Sequence, residues 1–259
     1  MILSRRAALN GRYLDEVHER IVIREIRFGE ISNTLSTTSR MGGSGQRITG
    51  DHDESMEVEV DFAILVPKDD LITRRRIWED ACSWALQGGW LTVNFLPERR
   101  LWVDKTLIRA AGDLRDWSTA YTITFRATSV PYWQDVLPVT VTKTGVSVTS
   151  FTIPVPGNKR TVAEAEFTNT SGSAVTTFAI NAGGSAIALT GISLADGAAL
   201  KITHENNGIL RILAGSTSVY DKRVAASADD LYMDPGVRTV ILDAGGAGTL
   251  KVSVRGRYA

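Results

Sequence analysis

The chain has 259 residues, enough for one large or two ordinary domains, each able to bury a core. Lys and Arg number 29 and Asp and Glu also 29, so the formal net charge is zero and the basic excess of a nucleic-acid binder is missing. Apolar residues at 43% and charged residues at 22% are ordinary for a globular protein, and a net charge near zero favours self-association.

Met1–Gly11 carries two arginines but no apolar run long enough for a signal peptide. No stretch approaches the roughly 20 apolar residues of a membrane span, so synthesis and assembly in the cytoplasm, away from membranes, are expected. Cys82 is alone, which excludes an intrachain disulfide framework. Lying between Trp78 and Trp84 on a predicted helix, it reads as a small buried hydrophobe.

Asn10-Gly11 is a turn signal, followed by a strand over Arg20–Phe28 that Gly29 closes. Between Ser32 and Ser55 the chain is polar, with Met41-Gly42-Gly43-Ser44-Gly45 at the centre, and reads as a long mobile loop or arm. From Met56 to Val66, apolar Met56, Val58, Val60, Phe62 and Ile64 alternate with Glu57, Glu59, Asp61 and Ala63. This period of two predicts a strand with three carboxylates on a solvated or interface-facing side.

A helix is predicted over about 70–87, with its N-cap in Pro67–Asp70 and its stop at Gly88-Gly89. Ile77, Ala81, Trp84 and Ala85 form its apolar stripe, and Arg74, Arg75, Arg76, Glu79 and Asp80 are expected to face outward. The arginine triplet is a candidate anion contact; local ion pairs with Glu79 and Asp80 are the favoured reading. Next, Trp90–Leu96 and Leu101–Ile108 read as a β-hairpin turning at Pro97–Arg100. A strand over Ala120–Ala127 then ends at Pro131-Tyr132-Trp133.

Beyond Leu137 the helix signal disappears. Strands are predicted at Val139–Val141, Phe151–Val155, Glu164–Phe167, Thr177–Ile180, Ala198–Ile202, Ile209–Leu213, Thr239–Leu242 and Leu250–Val254. Their separators are Pro154–Asn158, Asn181–Gly184, Asn206–Gly208 and Gly245-Gly246, a spacing that indicates an antiparallel sandwich. Two domains follow, 1–136 and 137–259, in a mainly β protein with one helix.

Catalytic signals are weak. His18, His52 and His204 have no metal-ligand spacing, and no GxSxG, Walker loop or GxGxxG precedes a helix. Asp51-His52-Asp53-Glu54 is a candidate cation cluster, but solvated residues at a loop end fit better. Asp229, Asp230 and Asp234 lie near a turn with no evident facing carboxylate. No catalytic, cofactor or metal residue is expected.

The order of these elements resembles a known family. Asn10-Gly11, the strand at Ile21–Phe28, the long polar segment, the alternating strand, one helix, a Trp/Leu hairpin and a Thr-Phe-x-Ala strand ending at Pro131-Tyr132-Trp133 form its first part. Glu166-Phe167-Thr168-Asn169-Thr170-Ser171-Gly172 and Tyr232-Met233-Asp234-Pro235-Gly236-Val237-Arg238-Thr239-Val240 are similar to a strand and a turn of its second part. The family is the distal tail protein of long-tailed, non-contractile bacteriophages, which often has Asn where Arg238 stands. The resemblance implies a tail-tube-like β-barrel with one helix in the first half and a galectin-like jelly-roll sandwich in the second. It implies a hexameric ring joining the tail tube protein to a tail-tip or baseplate hub protein in the virion, with the sandwich supporting receptor-binding proteins or sugar contacts. Met41, Gly42, Gly43, Gln46 and Arg47 of the arm, with Glu57 and Glu59, are then the expected subunit contacts, and Pro131, Tyr132 and Trp133 the domain junction.

Two other readings stay open. A carbohydrate-binding module fits the sandwich, although residues 137–259 hold only Tyr220, Tyr232 and Tyr258 as possible ring platforms and no Trp. A glycosidase would need a convergent acid/base pair.

Overall fold

The computed structural model describes residues 5–39, 46–67, 69–111 and 120–259. The described chain is mainly β with one α-helix, and it divides into two compact units, one ending at Trp133 and one over Gln134–Tyr258. The division falls three residues before the 136/137 boundary read from the sequence.

The first unit contains β1 (Ala7–Leu9), β2 (Arg12–Tyr13), β3 (Ile21–Phe28), β4 (Ser32–Ser39), β5 (Gln46–Ile64), α1 (Leu71–Ala85), β6 (Gly89–Val93), β7 (Leu96–Val103), β8 (Lys105–Ala111) and β9 (Ala120–Ala127). One sheet has the order β2-β1-β6-β7 and a second the order β3-β5-β9-β8. Asn10 and Gly11 both take positive φ (52° and 84°), the backbone that a two-residue hairpin turn needs. The Asn10 side chain also reaches the far end of α1. Its Nδ2 donates to Gly88 O and its Oδ1 accepts from Trp90 N–H, at 2.8 and 2.9 Å. Gly89 has no room for a Cβ beside that amide.

Alternation along β5 buries Met56, Val58, Val60 and Phe62 on one face, as its period of two requires. α1 lays Ile77, Ala81, Trp84 and Ala85 into the core, with the Trp84 ring edge-on to Phe125 at 5.9 Å. Asp70 caps the helix by accepting Thr73 N–H at 3.0 Å. Those Thr73 contacts hold its carboxyl below the ordinary value, with a smaller contribution from the Arg20 charge.

Three sequence expectations change here. Ser32–Ser39 and Gln46–Ser55 are strand rather than loop: β4 and the first half of β5 pair antiparallel from Ser32↔Ser55 to Ser39↔Gln46. Ser/Thr-rich strands without an apolar face carry no period-two signal, so this pairing was invisible in the sequence. Arg74 is buried at 1% exposure, its Nη2 donating to Val66 O at 3.1 Å, because it occupies the first position of the inward stripe. Arg75 does face outward and pairs with Glu79 at 2.9 Å. The hairpin turns at Asn94-Phe95 rather than at Pro97–Arg100, since Val93 pairs with Leu96. Pro97–Arg100 instead forms a bulge opposite Thr92, where a proline without an N–H is tolerated.

Asp104 separates β7 from β8, so the stretch expected as one strand serves two sheets. Its carboxylate accepts the N–H groups and hydroxyls of Thr128 and Ser129 at 2.7–3.1 Å. Burial pushes this carboxyl up, but those four hydrogen bonds outweigh it and hold it below the ordinary value.

The short strand β10 (Trp133–Asp135) spans the division. The second unit then contains β11 (Val139–Val155), β12 (Thr161–Asn169), β13 (Val175–Ala182), β14 (Ser185–Leu194), β15 (Ala199–His204), β16 (Leu210–Ala214), β17 (Thr217–Ser218), β18 (Tyr232–Met233), β19 (Gly236–Val254) and β20 (Arg257–Tyr258). β11 and β19 form a long antiparallel ribbon. The first half of β19 also pairs with β13 and its second half with β12, so the ribbon passes from one half of a folded sheet to the other. Between those halves lies a core that includes Phe167, Phe178, Leu189, Ile202, Leu242 and Val252.

The predicted strand pairs Val139–Val141 with Phe151–Val155, and Thr239–Leu242 with Leu250–Val254, are therefore each one bent strand. Gly245-Gly246 does not separate strands; it lets β19 bend under close packing. A Cβ there would lie 2.7 Å from Thr177 Oγ1 or 2.8 Å from Val175 Cγ2. The other punctuation acts as turns, with Gly183-Gly184 joining β13 to β14 and Asn206–Gly208 lying between β15 and β16.

Candidate functional site

The outward side of β5 carries Glu57, Glu59 and Asp61, as its alternation dictates, and the neighbouring strands bring arginines to them. Arg126 of β9 stands opposite Glu57 and pairs with it at 2.6 Å. Arg27 of β3 stands opposite Glu59 and binds three carboxylates, Glu59 and Glu25 at 2.9 Å and Asp61 at 2.6 Å. Hydrogen bonds that Arg27 donates to Glu59, Asp61 and Glu25 raise its pKa. The acidic row is thus half of a cross-strand charge ladder, a polar face set by register. Among the described residues, no three His, Cys, Asp or Glu side chains converge to hold a metal ion.

The other expected contact residues separate. Met41, Gly42 and Gly43 lie outside the described residues. Gln46 and Arg47 open β5, paired in register with Ser39 and Thr38. Asp51–Glu54 also lies within β5, and Asp53 accepts a hydrogen bond from the Tyr132 hydroxyl at 2.7 Å. Pro131 is buried, and Trp133, 4% exposed, stands edge-on to Phe28 at 5.2 Å.

Sequence reasoning missed a groove of about 330 Å³ at the end of β3, lined by Arg5, Ile26, Phe28, Asn94 and Phe95. Its rings, Phe28 and Phe95, remain 40% and 45% exposed with centroids 5.6 Å apart. The available signal was Asn94-Phe95 as a two-residue turn, which would have put an aromatic at a hairpin tip.

In the second unit, His204 Nε2 lies 2.8 and 2.9 Å from the two Asp230 carboxylate oxygens. Its Nδ1 faces Glu164 at 4.0 Å, and among the described residues no hydroxyl or thiol lies in hydrogen-bond reach of it, so none of them gives the pair a nucleophile to activate. It anchors the segment before β18, whose backbone also bonds the outer edge of β14 through Val224 N–H to Ala188 O and Ala228 N–H to Ala186 O. Arg238 secures the Asp234-Pro235-Gly236 turn itself, donating to Asp234 O and Pro235 O at 2.9 and 2.7 Å. Asp234 also pairs with Arg160 at 2.8 Å. Asn169 is fully buried: Nδ2 donates to Ser173 O and Leu194 O, and Oδ1 accepts the N–H and hydroxyl of Ser171. Among the described residues, no helix is long and apolar enough to cross a membrane.

No protein-family model matches the sequence, and no curated protein is significantly similar to it. Solved structures do match. The SPP1 Dit (gp 19.1) protein, described as a paradigm of hub adsorption apparatus in phages infecting Gram-positive bacteria, aligns with a TM-score of 0.72 at 15% identity, covering 97% of this chain and 98% of its own. Structures of the phage P2 baseplate in its activated conformation, with Ca and with Sr, align at TM-scores of 0.47 and 0.46 and 8% identity. They cover 97% and 96% of this chain and 98% and 97% of theirs, a similarity too low to compare the folds further. Across nearly its whole length, the chain has the fold of SPP1 Dit.

Proposed function

We propose that the chain is a structural distal tail protein, which forms a hexameric ring connecting a phage tail tube to the tail tip or baseplate. The observation that carries this reading is the fold shared with SPP1 Dit over 97% of one chain and 98% of the other, both units included. In this reading residues 1–136 are a tail-tube-like β-barrel that builds the ring, with Met41, Gly42, Gly43, Gln46, Arg47, Glu57 and Glu59 at subunit contacts. Pro131, Tyr132 and Trp133 form the joint to a galectin-like sandwich over 137–259. The partners are five further copies, the tail tube protein, a hub protein and a receptor-binding protein. The protein is made in the host bacterial cytoplasm and resides at the tail tip of the virion.

Chemistry supports a structural role: Glu57, Glu59 and Asp61 of β5 pair with arginines of the same chain, and among the described residues no nucleophile lies in reach of the buried His204–Asp230 pair. Electron microscopy of tail particles tests it, with a six-fold ring of this protein expected between tube and tip. A strictly monomeric mass at tens of micromolar, together with tail particles lacking such a ring, refutes it.

One observation favours a second reading, host-surface carbohydrate binding by the second unit. Tyr220, 48% exposed, borders a groove of about 500 Å³ that Ile209, Arg211 and Ser218 also line. Glycan-array binding abolished by Tyr220→Ala supports that reading; no glycan bound above background removes it.

A further inference from the structure

We infer that neighbouring copies meet by seating the first turn of α1 of one copy in the Phe28–Phe95 groove of the next. The inference rests on the ring reading above and names the surfaces that build the ring. Both surfaces belong to the first unit. The groove is apolar on its floor, with Ile26, Phe28 and Phe95, and Arg5 stands exposed on its rim.

A second group of exposed apolar side chains lies at the other end of β3. Ile72 is 86% exposed and Leu71 40%, while Leu65 is 60% exposed and Val22 44%. Leu65 N–H bonds Arg20 O at 2.8 Å, and Asp70, the cap of α1, lies in the field of Arg20, so this apolar group stands beside the start of β3. Exposed Asp69 adjoins it. Neither Arg5 nor Asp69 has an ion pair among the described residues, so each can meet the other's opposite charge across a contact between copies.

Six residue steps lead from Val22 to Phe28, so the apolar group and the groove stand about 20 Å apart along one extended strand. Surfaces at opposite ends of one strand cannot cover each other within a copy. A knob and a pocket at different places on the same molecule make a heterologous contact, which propagates head to tail and closes into a ring when the rotation allows. A two-fold dimer would instead need one self-complementary patch. Seating Ile72 against the two rings covers apolar surface on both sides, and Asp69 then reaches the rim that carries Arg5.

The test is cross-linking of the full chain. In a Cys82→Ala background, Ile72→Cys and Phe95→Cys are made singly and together, and a short bismaleimide is added. The mixture of the two single variants should give a cross-linked dimer, the double variant a ladder of higher species, and each single variant alone none. Asp69→Arg and Arg5→Glu should each weaken association severalfold, and their combination should restore it; Ile72→Asp should weaken it at least tenfold. Cross-linking of Ile72→Cys to itself overturns the inference in favour of a two-fold contact. A six-fold ring in tail particles, with no cross-link between the Ile72→Cys and Phe95→Cys variants, overturns the inference alone. Absence of both the ring and any association overturns the ring reading and this contact together.

Discussion

Replacing Asn169 by Ala should destabilise the second unit by about 3 kcal/mol. Four hydrogen bonds end on this one side chain, which is 0% exposed. The loss is unequal among its partners. Ser173 is exposed, so its carbonyl regains water, but Leu194 is 1% exposed and its carbonyl is left dry. An unsatisfied buried acceptor costs about 1–3 kcal/mol, and the released Ser171 contacts add about 1 kcal/mol more. Near 4 °C per kcal/mol for a unit of this size, the midpoint should fall by roughly 12 °C. Asn169→Asp is the more discriminating variant, because its carboxylate would face the two carbonyls that now receive Nδ2. Folding then favours the protonated acid and raises its pKa above the unfolded value of about 3.9. The penalty should be full above the raised folded pKa and should be relieved as pH falls through it. Differential scanning calorimetry of the full chain, from pH 7 to pH 4, reads both variants. A loss below 1 kcal/mol for Asn169→Ala, or a pH-independent deficit for Asn169→Asp, would refute the reasoning.

The remaining predictions use the same physical terms. Gly248→Ala places a Cβ 2.5 Å from the Thr168 carbonyl and against the buried Phe167 ring; backbone cannot yield cheaply, so a loss of about 2–3 kcal/mol is expected by chemical denaturation. A loss within error of zero would mean that β19 bends more freely than the packing implies. Asp104 has a lowered folded pKa, so its contribution is fully present above the unfolded value near 3.9 and is lost as pH falls through the folded pKa. Asp104→Asn should therefore cost stability at pH 7 and narrow its deficit at low pH, and equal deficits at both pH values would count against the four-bond assignment. Deleting Met41–Gln46 should weaken assembly more than folding, read by sedimentation velocity beside thermal melting; normal assembly of the shortened chain removes the contact proposed for that segment.

Several features were legible because they are local. The period of two in Met56–Ile64 named its buried face, Asn10-Gly11 and Gly183-Gly184 named their turns, and the Ile77–Ala85 stripe with an Asp70 cap named the helix. The sequence by itself therefore determined a mainly β chain with one helix, because alternation, capping and positive-φ turns depend on near neighbours. Tertiary structure alone decided the rest. It paired the Ser/Thr-rich β4 with β5 and carried β19 unbroken past Gly245-Gly246 against β11. It also set Arg27 and Arg126 against the β5 carboxylates and left Phe28, Phe95 and Ile72 uncovered. Each of these outcomes depends on which distant segment lies opposite, and no local period encodes that partner.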